Sequence, residues 1–250
     1  FCPNREFRLR RHAPPRNRCN GTAHLVRDGA APGDVGQGTV ADCYLAAALI
    51  GVAHQDPGLI TDGLRRNLNG TATVILHPGG GDPVAVTVTA ALPARRVAGT
   101  AAAGPDPVQE LAMDADNRTG QPELWPALYE KAYARLHGGY PGIGFGSAAA
   151  GLRTITGRTV GHRDAADTTV ADLAGLLRRA AAVTVTTRSR TRPGGLAAAH
   201  AYALLAVDVT AGRVLLRNPW DPPPGQTNEQ WYPWSWVVPD ARTVVHGATR

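Results

Sequence analysis

Between residues 138 and 146 the chain reads Gly-Gly-Tyr-Pro-Gly-Ile-Gly-Phe-Gly, five glycines in nine positions. Glycine loses more backbone entropy on ordering than any other residue, and proline brings no amide hydrogen, so this stretch resists both helix and strand. A chain interrupted in this way is expected to fold as two halves meeting at a cleft. The sequence therefore predicts parts at 31–141 and 142–250, preceded by an irregular Arg- and Pro-rich extension over 1–30. At 250 residues there is enough chain for a full hydrophobic core, as one large domain or two small ones.

The first half has a clear helical signal. A turn-rich segment, 31–38, leads into Cys43-Tyr44-Leu45-Ala46-Ala47-Ala48-Leu49-Ile50, with Asp42 ahead of it as the expected N-cap. Cys43 then falls in the first helical turn, where the helix dipole favours a thiolate. Thr73–Leu76 and Val84–Thr89 are β-branched runs around a Gly-Gly-Gly-Asp turn and predict a hairpin. After a loop reaching about residue 121, Glu123–Leu136 carries Leu124, Leu128, Ala132 and Leu136 at four-residue spacing, an amphipathic helix. The second half predicts helices near Ser147–Thr154 and over Val170–Ala181, then strands at Val183–Thr187, Ala201–Val207 and Arg213–Arg217. The outline is α+β, a mainly helical half carrying a thiol and a mainly β half.

Composition removes several classes of function. Hydrophobic residues are 43% and charged residues 18%, which is ordinary for a folded protein. No apolar run approaches the roughly 20 residues that a bilayer span requires, so no membrane span is expected. The net charge of +6 is carried by arginine, Lys131 being the only lysine, and outside 5–18 the arginines are scattered. Nucleic acid is accordingly not an expected partner. Cys2 and Cys19 flank the arginine-rich segment and are candidates for a disulfide, which leaves Cys43 as the odd thiol. Without a Cys-x-x-Cys pair, a cysteine metal site is not expected. The chain opens on Phe1 without a charged-then-apolar leader, so it reads as a piece of a longer protein, secreted or delivered as an effector domain.

Chemistry is concentrated at four positions. Gln37 lies six residues before Cys43 in a Gly-flanked loop, where an amide can stabilise an oxyanion. His200 opens an apolar strand, and Asn218 follows the next one, in Asn218-Pro219-Trp220. Antiparallel strands joined by a short turn place the two side by side, and an Asn oxygen fixes the tautomer of an imidazole. Trp220 is placed to shield that hydrogen bond. Each residue alone has a bland reading, as a loop glutamine, a core cysteine, a strand-edge histidine or a turn asparagine.

Taken in order, Gln-x5-Cys, His-Ala and Asn-x-Trp resemble the papain-like superfamily of cysteine proteases. Three segments narrow this to a resemblance to calpains: Gln37 through Ala47, Glu123 through Leu136, and Leu216-Arg217-Asn218-Pro219-Trp220. The resemblance implies a papain-like fold of two subdomains, the helical one carrying Cys43 as nucleophile and the β-rich one carrying His200 as base and Asn218 as its orienting residue. It implies Gln37 as oxyanion donor and proteins or peptides as substrates, cleaved through a thioester acyl-enzyme. An inhibitor or immunity protein is an expected further partner. No cofactor is required; calcium is the one candidate, with Asp34 and Glu123 matching one calcium site of the family. The chain departs from calpains at Ala41, Tyr44, Ala199 and Asp221, where the family usually has Gly, Trp, Gly and Gly. Two alternatives remain at this stage. One is an acyl transferase or deamidase of the same fold, of transglutaminase type; the other is a non-catalytic calpain-like binding module.

Overall fold

The computed structural model describes residues 25–92, 94–96, 108–110, 113, 123–222 and 226–250. Most of the N-terminal extension, with Cys2 and Cys19, lies outside the described residues. The elements run α1 (Cys43–Gln55), α2 (Pro57–Asp62), β1 (Leu64–Arg66), β2 (Thr71–Leu76), β3 (Val84–Thr89), β4 (Ala94–Arg96), β5 (Val108–Glu110) and α3 (Trp125–Leu136). They continue with α4 (Ala148–Thr156), β6 (Val160–Asp164), α5 (Val170–Arg178), β7 (Ala181–Thr187), β8 (Ala201–Asp208), β9 (Arg213–Arg217), β10 (Glu229–Pro233), α6 (Trp234–Val237) and β11 (Ala241–Ala248). The architecture is mixed α+β. Strands β1-β2-β3 form one antiparallel sheet, β4 and β5 pair separately, and the large sheet has the order β10-β9-β8-β7-β11-β6.

The apolar run at β8 is explained by burial on both faces. Ala201, Ala203 and Leu205 belong to a core shared with α1, while Tyr202 and Leu204 belong to a second core with α5 and α6. A strand covered on both sides reads as continuous hydrophobicity rather than alternation. Each fully buried large side chain there, such as Leu204, contributes about 1.5–3 kcal/mol. The same logic accounts for α1, in which every residue from Tyr44 to Ala53 is buried. A helix apolar all round has to be surrounded, and α1 packs against β7, β8, α4 and α2. Its alanines, and Gly51 whose added Cβ would lie 3.3 Å from that of Ala182, let it sit close on the sheet.

Several expectations are adjusted. In the first half a three-stranded sheet and a β4–β5 pair accompany the helices among the described residues. The helix expected from Glu123 starts at Trp125, and the one expected to reach Ala181 stops at Arg178. The glycine-rich segment forms a short 3-10 helix, Tyr140–Ile143, and then docks on α1. A Cβ on Gly146 would come within 2.3 Å of the Tyr44 ring, so only glycine permits that approach. The Tyr44 hydroxyl donates to the Ile143 carbonyl at 2.9 Å, tying the segment to the residue that follows Cys43.

Candidate active site

Cys43 is the first residue of α1 and is half-buried. Asp42 does not cap the helix through its side chain, contrary to the expectation from sequence. The backbone carbonyl of Asp42 accepts from Leu45 and Ala46 at 2.8 and 3.1 Å, while its carboxyl is fully buried against Glu130 of α3. The helix N-terminus does act on the thiol, since the amides of Tyr44 and Cys43 lower its pKa. The Ala201 amide lowers it further, which places the sulfur beside the residue after His200. Burial is the largest influence, however, and with the Asp42 charge it pushes the free thiol above its ordinary value.

His200 is buried at the start of β8. Its amide donates to Thr187 Oγ1 at 2.8 Å, and its carbonyl accepts from Thr187 N at 2.8 Å, so the residue is fixed from both sides by the end of β7. His200 Nε2 lies 2.8 Å from Asn218 Oδ1. That oxygen also accepts from Trp220 N at 3.1 Å, which identifies it as the acceptor of the amide. Nε2 therefore carries the hydrogen, and Nδ1 is left to exchange a proton. The Trp220 ring lies over the imidazole with centroids 4.1 Å apart, and the Tyr202 ring meets it edge-on at 5.1 Å. Burial lowers the His200 pKa, and the Asn218 hydrogen bond opposes that shift.

A cavity of about 920 Å³ is lined by Gln37, Cys43, His200 and Trp220 together. Gln37 N donates to Pro219 O at 2.7 Å, stitching its loop to the Asn-Pro-Trp segment. Gln37 Nε2 donates to Val40 O at 2.7 Å, an intraloop bond that sequence reasoning did not foresee. Arg217 was also missed as a site residue. Its guanidinium is buried and donates to Asn228 Oδ1 at 2.9 Å and Glu229 Oε1 at 2.7 Å. It reaches the Gly33 and Val35 carbonyls at 3.4 and 3.5 Å, joining the strand before Asn218 to the loop before Gln37. A charged residue amid Val214, Leu215 and Leu216 was the available signal. Ala199, preceding His200, has φ 48°, a left-handed conformation that favours glycine.

Asp34 and Glu123 are both buried and lie near each other. Asp34 Oδ2 accepts from Trp125 Nε1 at 3.0 Å and Ala31 N at 2.7 Å, and Glu123 Oε1 accepts from Arg27 N at 2.8 Å. Glu123 Oε2 is buried with no hydrogen-bond donor. Burial, and next the Asp34 charge, raise the Glu123 carboxyl to about 7. No group of three or more His, Cys, Asp or Glu side chains is arranged to hold a metal among the described residues.

The family model for calpain family cysteine proteases covers residues 10–249. The chain belongs to the calpain family of cysteine proteases. This calpain-family domain is 32% identical to Calpain-9 of Homo sapiens over 139 residues, 49% of this chain and 19% of that protein. It is 27% identical to Calpain-13 of Rattus norvegicus over 233 residues, 88% of this chain and 32% of that protein. It is 31% identical to Calpain clp-4 of Caenorhabditis elegans over 116 residues, 39% of this chain and 16% of that protein. The domain thus spans a third or less of the length of these relatives. No helix among the described residues is long and apolar enough to cross a membrane.

Proposed function

We propose that this domain is an endopeptidase with Cys43 as nucleophile, His200 as general base and acid, and Asn218 as the residue that orients the imidazole. The observation that carries the reading is the 2.8 Å bond between His200 Nε2 and Asn218 Oδ1, with His200 and Cys43 lining one cavity. With Nε2 committed to Asn218, Nδ1 takes the thiol proton. The thiolate attacks the scissile carbonyl carbon, and the resulting oxyanion is met by the Cys43 amide and a Gln37 side-chain N–H. His200 returns its proton to the leaving amine as the C–N bond breaks, leaving a thioester on Cys43. Water, deprotonated by His200, then hydrolyses the thioester and releases the acid and the thiol. Trp220 shields the His200–Asn218 bond from water. The walls of the cleft are assigned to subdomains 31–141 and 142–250.

Calcium is proposed as a structural ligand, held by Asp34 and Glu123 with backbone carbonyls completing the shell. The donor set fits, because Glu123 Oε2 is buried without a partner and the carboxyl is destabilised by its neighbour's charge. A divalent cation supplies the charge that offsets both. No step of the hydrolysis runs through it.

The test is casein cleavage by wild type and Cys43→Ala, each with calcium and with chelator. Wild type is expected to generate new amino termini and the variant none. Cleavage by Cys43→Ala at the wild-type rate would overturn the assignment. Amine incorporation or ammonia release without new termini would place the domain among acyl transferases or deamidases.

A further inference from the structure

Immediately behind the candidate nucleophile are two carboxyl groups with no cation assigned to them. Asp42 and Glu130 are each fully buried, and their carboxyl groups lie against one another. Glu130 Oε2 accepts from Met113 N at 2.9 Å. The other Glu130 oxygen and both Asp42 oxygens have no N–H or hydroxyl donor. Carboxylates are acceptors only, so two in mutual contact are compatible only if a proton lies between them. The groups facing the pair are Cys43 and Tyr44 from α1, Tyr133 from α3, and Tyr140 from the 3-10 helix. The Tyr140 hydroxyl is itself buried without a partner, and His137 stacks on Tyr133 with centroids 4.2 Å apart. On the same helix, Lys131 bonds to Thr89 and Ala91, and Arg135 bonds to the Thr87 carbonyl.

We propose that Asp42 and Glu130 share a proton and act as the positioning and tuning pair of Cys43, setting how much negative charge stands next to the thiol. Asp42 directly precedes the nucleophile, whereas Glu130 sits farther from it on α3. A proton held on the pair disperses charge away from Asp42, and a localised carboxylate at Asp42 opposes the thiolate by like-charge repulsion. Burial supports this, since it raises the Asp42 carboxyl to about 7, and it raises that of Glu130 as well. Such a pair titrates as a unit. Met113 N, donating to Glu130 Oε2, fixes the α3 member of the pair.

The inference rests on Cys43 being the nucleophile, and its test reads the thiol rather than hydrolysis. Carbamidomethylation of Cys43 by iodoacetamide is followed by mass spectrometry on the Cys43 peptide, from about pH 5 to pH 10, in wild type, Asp42→Asn, Glu130→Gln and the double variant. Asp42→Asn is expected to lower the midpoint by about one pH unit, tenfold more thiolate at a fixed pH below it. Glu130→Gln leaves the charge wholly on Asp42 and is expected to raise the midpoint by about half a unit, roughly threefold. The double variant should follow Asp42→Asn. Circular dichroism melts identify folded variants; should Asp42→Asn unfold, Glu130→Gln alone decides, an upward shift supporting the pair. Shifts in the same direction for both single variants, or an unmoved midpoint in a folded one, would overturn it. Opposite shifts in a domain that cleaves no casein would keep the pair and remove the proteolytic reading.

Discussion

Replacing Asn218 by alanine removes the acceptor of two hydrogen bonds, from His200 Nε2 and from Trp220 N at 3.1 Å, and leaves His200 in place. The His200 backbone keeps its bonds to Thr187 and the ring keeps its contact with Tyr202, so the residue's position changes little. What the imidazole loses is the 2.8 Å bond at Nε2, the interaction that raises the His200 pKa against the downward pull of burial. A hydrogen bond to a charged group contributes about 1.5–3 kcal/mol, which corresponds to roughly ten- to a hundredfold in the population of the thiolate–imidazolium pair. The sign follows from the same bond. Without it the imidazolium loses its proton at lower pH, so the alkaline limb of the pH–rate profile should move down by about one to two units. The assay is kcat/KM for casein-derived peptides across pH, together with the pH dependence of Cys43 alkylation. Asn218→Asp supplies the opposite arm, since a carboxylate favours the imidazolium and should move that limb upward. An Asn218→Ala enzyme within twofold of wild type, with an unmoved alkaline limb, would refute the role given to Asn218.

Two further predictions concern stability. Ala199→Gly relieves a left-handed backbone at φ 48° and should stabilise the fold by about 0.5–1 kcal/mol, after the entropy that glycine gains when unfolded, read as a rise in Tm. Glu123 has a folded pKa raised to about 7, so its contribution is full below its unfolded value near 4 and is lost as pH rises through about 7. Chelated wild type should therefore lose stability from pH 5 to pH 7, calcium should restore it, and Glu123→Gln should flatten the slope and abolish the calcium effect; a calcium-dependent Tm that survives in Glu123→Gln would remove this residue from the site.

The sequence alone determined the elements whose surroundings are uniform along their length. α1 is apolar on every side and β8 is buried on both faces, so their runs of Ala, Leu and Val were readable as a helix and a strand. The β8–β9 hairpin was legible as well, because a short turn between two apolar runs brings His200 toward Asn218 with little outside help. Strands lying at an edge were not. β10, Glu-Gln-Trp-Tyr-Pro, is largely exposed and ends in proline, and β6 is polar on most positions, so neither had a periodic apolar face to reveal it. β11 owes its place between β7 and β6 to pairing with strands distant in sequence. At the site, tertiary structure decided the charges. Asp42 has the local signature of a helix cap, yet α3 brings Glu130 against it and excludes water, which turns a solvated cap into a buried carboxyl pair. Arg217 likewise closes an apolar strand, and the fold supplies Asn228, Glu229 and the carbonyls of the opposite loop. Hydrophobic pattern is a property of neighbours along the chain, whereas the state of an ionisable group depends on what the fold packs around it.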